Sequence, residues 1–146
     1  MAMKLTGEDI NTPEKREKYT VSVVGCGRMG LATICLFAEA GFKVVGVDAN
    51  QRIINLLKRG KPPFAERRLD AYVTKHVKEK RLTATTNAKS AASTSDVIIF
   101  IVPTPVDKRK KPDYSPVERM CREVGMGLRS GSLIIFQSTV GPGVTE

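Results

Sequence analysis

Three glycines at a strand-to-helix junction constrain this chain more than any other feature. Gly25-Cys26-Gly27-Arg28-Met29-Gly30 follows Thr20-Val21-Ser22-Val23-Val24, a β-branched run with the composition of a buried strand. It opens a segment, Arg28 to Ala40, with apolar residues at helical spacing: Met29, Leu31, Ile34, Cys35 and Ala38. A second apolar run, Phe42 to Val47, ends at Asp48, so Thr20 to Asp48 reads as strand, helix, strand in 29 residues. In such a unit each glycine has its own task. Gly25 makes the tight turn, Gly27 lets the backbone approach a pyrophosphate, and Gly30 lets the helix pack against the strand. Unpaired amides at the positive end of the helix dipole hold the phosphates, which makes Cys26, Arg28 and Met29 candidate contacts beside the glycines. Asp48 lies 18 residues beyond Gly30, where a carboxylate accepts from the adenosine ribose hydroxyls. That placement selects NAD, because a 2′-phosphate would be repelled. The same residues also allow a plainer reading, a glycine turn with an incidental acid.

The alternation continues along the chain. Gln51 to Arg59 is a helix ending at Gly60, and Pro62-Pro63 then breaks the chain. Glu66 to Lys80 is a helix, Leu82 to Thr86 a short strand, and Asn87 to Ser93 a helical turn. Asp96 to Val102 is apolar on both faces, as a central parallel strand should be. Prolines 103, 105 and 112 surround a loop. Ser115-Pro116 opens a helix to about Arg129 that Gly131 closes, and Ser132 to Gln137 is the last strand. Strands alternating with helices predict an α/β fold, a doubly wound parallel sheet of Rossmann type, in a single domain over residues 19–146. Residues 1–18 read as a polar N-terminal arm, with a helical turn where Thr12 caps and Pro13 takes the first helical position.

Charge is uneven. The net charge is +9, yet residues 50–81 alone carry +7 and Lys108 to Lys111 add +4. Clustered charge raises the local concentration of an anionic partner. Solvated helix faces and an exposed loop account for the same pattern, and few aromatics interleave with the cations, so a nucleic-acid surface is disfavoured. A non-enzymatic dinucleotide- or nucleic-acid-binding module nevertheless stays open as an alternative. Val97 to Val102 is far short of the roughly 20 apolar residues that span a bilayer, and Met1 to Tyr19 lacks the apolar core of a signal peptide. Three widely spaced cysteines, Cys26, Cys35 and Cys121, suit reduced thiols in a cytoplasmic protein. A lone His76 and the lack of a Cys-x-x-Cys pair argue against a structural metal.

Four further segments occur in order: Phe42-Lys43-Val44-Val45-Gly46-Val47-Asp48-Ala49-Asn50, Leu82-Thr83-Ala84-Thr85-Thr86, Asp96 through Val102-Pro103-Thr104-Pro105, and Gln137-Ser138-Thr139-Val140-Gly141-Pro142-Gly143-Val144-Thr145-Glu146. Together with the glycine turn they resemble the N-terminal NAD-binding domain of the UDP-glucose/GDP-mannose dehydrogenase family, which includes the UDP-N-acetylmannosamine dehydrogenases. The resemblance implies oxidation of the C6 alcohol of a nucleotide sugar, a UDP-sugar first, to a carboxylate with two NAD. In that family a cysteine of a later domain forms the thiohemiacetal and thioester. The resemblance assigns Gly25, Gly27 and Gly30 to the fingerprint and Asp48 to the ribose. Thr104 matches a Pro-Thr cofactor contact, and Thr139 a threonine near the nicotinamide whose hydroxyl orients water or the reacting oxygen.

Departures stand beside these matches. Cys26, Arg28 and Met29 replace the usual residues between the fingerprint glycines. Ile53 stands where members often carry a basic residue, with Arg52 one position earlier and still in reach of the adenosine phosphate. The family's nucleophilic cysteine, catalytic lysine, dimerisation helix and nucleotide-sugar domain would lie beyond Glu146. The expectation is therefore a cofactor-binding fragment, inactive alone, of a homodimeric enzyme. A dehydrogenase of 6-phosphogluconate or hydroxyacid type with a similar first domain is the alternative.

Overall fold

The predicted alternation of aliphatic runs and amphipathic segments folds into one sheet with helices on both faces. The computed structural model describes residues 5–66 and 68–146; Met1 to Lys4 of the expected arm and Arg67 of the basic segment lie outside the described residues. The strands are β1 (Thr20–Val24), β2 (Lys43–Val47), β3 (Leu82–Thr85), β4 (Val97–Phe100) and β5 (Leu133–Phe136). The helices are α1 (Pro13–Arg16), α2 (Arg28–Glu39), α3 (Gln51–Lys58), α4 (Leu69–Lys78), α5 (Ala88–Thr94) and α6 (Ser115–Gly125), preceded by a 3-10 turn at Gly7–Ile10. Strand order is β3-β2-β1-β4-β5 and every pairing is parallel. The chain thus winds outward from β1 to β3, then returns to the other side of β1. Between β1 and β4 the winding reverses, and at the carboxyl ends of these two strands a crevice must open.

Alternation along the strands divides the core into two layers. Val21, Val23, Val44, Leu82 and Ile99 face α2, α3 and α4, where Leu31, Ile34, Ile54, Leu57 and Val73 are buried against them. Val24, Ile98 and Phe100 face α5 and α6, meeting Ala88, Ala91, Ala92, Val117, Met120 and Val124. Small alanines on α5 let that helix lie close to the sheet. On the first layer, His76 of α4 is buried and sets Nε2 2.8 Å from Glu39 Oε2 at the end of α2. Lys75 Nζ lies 3.0 Å from the same oxygen, and its hydrogen bond, followed by that of His76, holds the Glu39 carboxyl below its usual range.

The expected turn at Thr12 is present, with Thr12 Oγ1 accepting from the Lys15 amide and Pro13 in the first turn of α1. Arg16 then ties this segment to the domain: Nε donates to Ile10 O at 2.6 Å and Nη1 to Ala40 O at 3.0 Å.

Three elements fall short of their sequence patterns by three residues or more. The helix expected from Glu66 begins at Leu69, because Arg68 enters it with φ of 75°, a left-handed conformation no helix continues. The helix expected to reach Arg129 ends at Gly125, and just beyond it Gly127 packs so closely on the Lys89 carbonyl that no side chain fits there. β4 ends at Phe100 although Ile101 and Val102 are apolar. The Ile101 amide still donates to Val24 O at 2.8 Å, but the Val102 amide turns to Ser138 Oγ at 2.9 Å.

Beneath α5 lies a buried polar pair. Ser95 Oγ donates to Ala91 O at 2.7 Å, which leaves the Ser22 hydroxyl as donor in its 2.6 Å contact with Ser95 Oγ. Ser22→Ala is expected to cost about 1 kcal/mol, and Ser95→Ala about 1–3 kcal/mol because it orphans a buried donor on β1. Urea denaturation reads both, and an Ser95→Ala loss no larger than that of Ser22→Ala would contradict this order.

Candidate functional site

At the carboxyl end of β1 the backbone is closed on two sides and open on a third. Gly25 has φ of +106°, and a Cβ there would overlap the Ile101 carbonyl, whose carbon would lie at 2.8 Å. A Cβ at Gly30 would strike the Gly25 carbonyl, with that carbon also at 2.8 Å. Gly27 differs: it is the N-cap of α2, and a Cβ added there meets nothing within 4 Å. The expected division of labour therefore has a geometric counterpart, with two glycines excluded by backbone contact and one facing open space. The first bond of α2 runs from the Leu31 amide to Gly27 O at 2.8 Å, so the amides of Gly27, Arg28 and Met29 have no acceptor within the helix.

Cys26 departs from its expected role. Its amide does not face the opening but donates to Asp48 Oδ2 at 2.9 Å, and its side chain is fully buried with Sγ 3.5 Å from Val47 O. The amides at the opening that lack a helical acceptor are therefore those that follow Cys26. Asp48 closes a second bond, accepting from the Asn50 amide at Oδ1 over 2.8 Å, so its carboxylate spans from the glycine turn to the start of α3. Asn50 in turn caps α3, its Oδ1 accepting from the Arg52 amide at 3.0 Å.

A cleft of about 410 Å³ opens here, at the reversal between β1 and β4. Gly25, Gly27 and Asp48 bound it on one side, with Ile53 behind them; Pro103 and Pro105 from the loop after β4, and Arg119 and Met120 from α6, bound the other. Ile53, which replaces a basic residue in the sequence comparison, thus serves as an apolar wall. Arg119 escaped the sequence reading altogether, since nothing local distinguishes it from the other cations of an exposed helix face.

The remaining candidates lie around this cleft without lining it. Arg28 and Met29 are exposed at the tip of α2, the guanidinium carbon of Arg28 lying 6.0 Å from the Phe64 ring centroid and its Nε 3.9 Å from Glu66 Oε1. Arg52 is exposed on the first turn of α3. Thr104 is half-buried in the loop after β4, and Thr139 is exposed one residue beyond Ser138. Ser138 is the residue of that segment with a visible structural task. Its Oγ accepts from the Val102 amide at 2.9 Å and lies 2.9 Å from Val102 O, joining the exits of β4 and β5.

None of the three thiols has the setting of a nucleophile. Burial, followed by the charge of Asp48, pushes the Cys26 thiol far above its ordinary range. Burial and then Glu39 push Cys35 up to about 11. Cys121 is half-buried and is raised by the same kinds of cause, burial and then Glu118.

An open helix start beside a carboxylate at the next strand end, over a crevice where the winding reverses, is the geometry of a dinucleotide-binding α/β domain. Residues 19–146 match the UDP-glucose/GDP-mannose dehydrogenase family, NAD binding domain, and the chain belongs to this family. It is 36% identical over 127 residues to the NDP-N-acetyl-D-galactosaminuronic acid dehydrogenase of Ralstonia nicotianae, covering 87% of this chain and 29% of the relative. It is likewise 36% identical to the UDP-N-acetyl-D-mannosamine dehydrogenase of Campylobacter jejuni, covering 86% of this chain and 30% of that protein. Among solved structures, the GDP-mannose dehydrogenase of Pseudomonas aeruginosa superposes with a TM-score of 0.82 at 33% identity, over 86% of this chain and 29% of that one. The chain thus spans about 30% of the length of the relatives it matches. Among the described residues no helix is long and apolar enough to cross a membrane.

Two outcomes follow from the backbone geometry and the thiol settings. Gly30→Ala is expected to destabilise by about 3 kcal/mol or to prevent folding, whereas Gly27→Ala should shift stability by less than about 1 kcal/mol. Denaturant titration of both variants checks this, and a comparable loss at the two positions would contradict it. With an aromatic disulfide reagent at pH 8, Cys121 should react first, and all three thiols only in denaturant. Rapid modification of Cys26 in the folded chain, located by mass spectrometry, would contradict its burial.

Proposed function

We propose that this chain holds NAD on behalf of a nucleotide-sugar 6-dehydrogenase, and that the carrying observation is the glycine turn open at Gly27 beside the Asp48 carboxylate. The amides of Gly27, Arg28 and Met29 hold the pyrophosphate at the positive end of α2. Asp48 accepts from the adenosine ribose hydroxyls, Ile53 and Pro105 wall the base, and Arg52 reaches the adenosine phosphate from the first turn of α3. Gly25 and Gly30 take part by permitting the turn rather than by touching the ligand. Cys26 contributes through its amide, which orients Asp48.

The open space at Gly27 and the unpaired amides that follow it support the fit to NAD, which when bound accepts hydride from the substrate carbon. Thr104 and Thr139 lie past the ends of β4 and β5, on the side of the sheet where open α/β folds bind ligands. In this reading Thr104 contacts the cofactor, and Thr139 orients water or the reacting oxygen near the nicotinamide. The substrate is a nucleotide sugar, a UDP-sugar first, whose C6 alcohol becomes a carboxylate in a longer, homodimeric protein of which residues 19–146 form the cofactor domain. A cytoplasmic setting accords with the free thiols Cys26, Cys35 and Cys121.

Isothermal titration tests the proposal. NAD should bind, NADP more weakly, and Asp48→Ala should weaken NAD at least tenfold while narrowing the preference over NADP. Binding unaffected by Asp48→Ala would overturn the assignment of the ribose site. The chain by itself should turn over no UDP-sugar, and measurable turnover would overturn the division of labour.

A further inference from the structure

The loop joining β4 to α6 carries a charge arrangement that a cofactor wall does not require. Val106 and Pro112 form an antiparallel bridge, and the amides of Arg109 and Lys111 both donate to Asp107 Oδ1, at 2.8 and 2.9 Å. Asp107 N donates to Lys111 O at 2.8 Å, Lys110 N to Asp107 O at 3.0 Å, and Asp113 N to Pro105 O at 2.7 Å. These bonds close a short finger whose tip is Lys108, Arg109, Lys110 and Lys111, all exposed. Lys110 is held at φ of 60°, an unfavourable conformation for a lysine that the surrounding bonds impose.

Charge is segregated along the finger. Asp107 lies below the tip, occupied by the tip amides. Asp113 lies at the root, where the hydroxyl and then the amide of Ser115 hold its carboxyl below the usual range. The four cations form the tip, while the two acids, also exposed, accept bonds from the finger's own backbone and from Ser115, so that residues 106–113 together carry +2. Both roots of the finger are walls of the cleft: Pro105 on the way out, Pro116 and Arg119 on the return. The cationic tip is thus carried on a loop whose two roots line the same space as Asp48 and Gly27.

We propose that this finger is an electrostatic guide that speeds the entry of a nucleotide pyrophosphate into the cleft without holding it once seated. The proposal rests on the dinucleotide reading of the cleft. Exposed cations on long side chains make weak individual pairs. Their field still acts over a Debye length of about 10 Å at 0.1 M salt, and charge at a cleft mouth raises association rates by about 10-fold or more. A nucleic-acid role fits less well, because Lys108 to Lys111 has no aromatic residue among its cations and two acids at its base.

Stopped-flow fluorescence with NADH as the probe tests the guide. One variant replaces Lys108, Arg109 and Lys111 with glutamine and leaves Lys110, whose backbone is strained; a second carries Lys108→Glu and Lys111→Glu. At about 20 mM salt the association rate constant should fall about fivefold in the first variant and further in the second. The difference should vanish near about 0.5 M salt, where the Debye length is below about 5 Å. Dissociation should stay within about twofold of the unsubstituted chain, since uniform steering acts on encounter. Unchanged thermal melts establish that both variants fold.

An unaltered association rate at low salt with NADH still binding overturns the proposal, as does a change confined to dissociation. Loss of binding to a short DNA duplex with NADH association unaltered overturns it in favour of a nucleic-acid surface. Absence of any NADH signal from the unsubstituted chain removes the dinucleotide reading and this proposal together.

Discussion

The ligand-facing edge depends on how closely the first turn of α2 can lie against the peptide it has just left. At Gly30 there is room for a hydrogen and nothing larger before the Gly25 carbonyl, and at Gly25 the same is true before the Ile101 carbonyl. Three stretches of backbone, the exit of β1, the entry of α2 and the exit of β4, therefore meet without an intervening side chain. Dispersion falls steeply with separation, so this contact also sets how deeply Leu31, Ile34 and Ala38 settle onto the sheet. A single methyl group at Gly30 would lift the helix, loosen that layer and displace the amides that follow Gly27. Core and site are one construction at this point.

The electrostatics separate binding from chemistry. Every thiol in the chain is raised, most of all Cys26, which fills the space under the glycine turn as a small apolar group. A thiol of that kind supplies too little thiolate to attack a carbonyl at neutral pH. In the proposed reading these residues serve positioning, through amides, one carboxylate and the threonines beyond β4 and β5, and none of the three thiols serves as a nucleophile. This division suits a domain whose polar groups are largely main chain, since a backbone amide is always protonated and always directed by the fold.

Much of this was legible in the sequence, for identifiable reasons. Val97 to Phe100 announces a buried strand because a parallel sheet covered on both faces favours an unbroken apolar run, and Thr20 to Val24 does so through its β-branched residues, its one buried hydroxyl, Ser22, being paired with Ser95. The glycines are legible because their task is set by spacing along a continuous strand, turn and helix. Element ends were harder to place: β4 stops at Phe100, and the Val102 amide goes instead to Ser138, 36 residues beyond Val102. Arg119 could not be found from its neighbours, since it reaches the cleft through the packing of α6 on the second layer. For the same reason the Cys26 amide was assigned to phosphate when the fold gives it to Asp48. A contact between two strand ends is decided by register, and Val24 stands opposite Val47 only once β1 and β2 are paired.

That Asp48 contact has a thermodynamic consequence. Each carboxylate oxygen accepts one amide, from Cys26 and from Asn50, so the fold itself fixes the direction of the side chain. Freezing a free side chain on binding costs about 0.5–1.5 kcal/mol, and here that ordering has taken place during folding. The lone pairs left over point where the two backbone donors do not, so a partner with hydroxyls at matching positions meets an acceptor of fixed direction. A misaligned partner gains little, because the carboxylate cannot swing to meet it without releasing the turn or the start of α3. In the proposed ribose site, selectivity thus takes the form of rigidity, written into two hydrogen bonds between the side chain and the backbone.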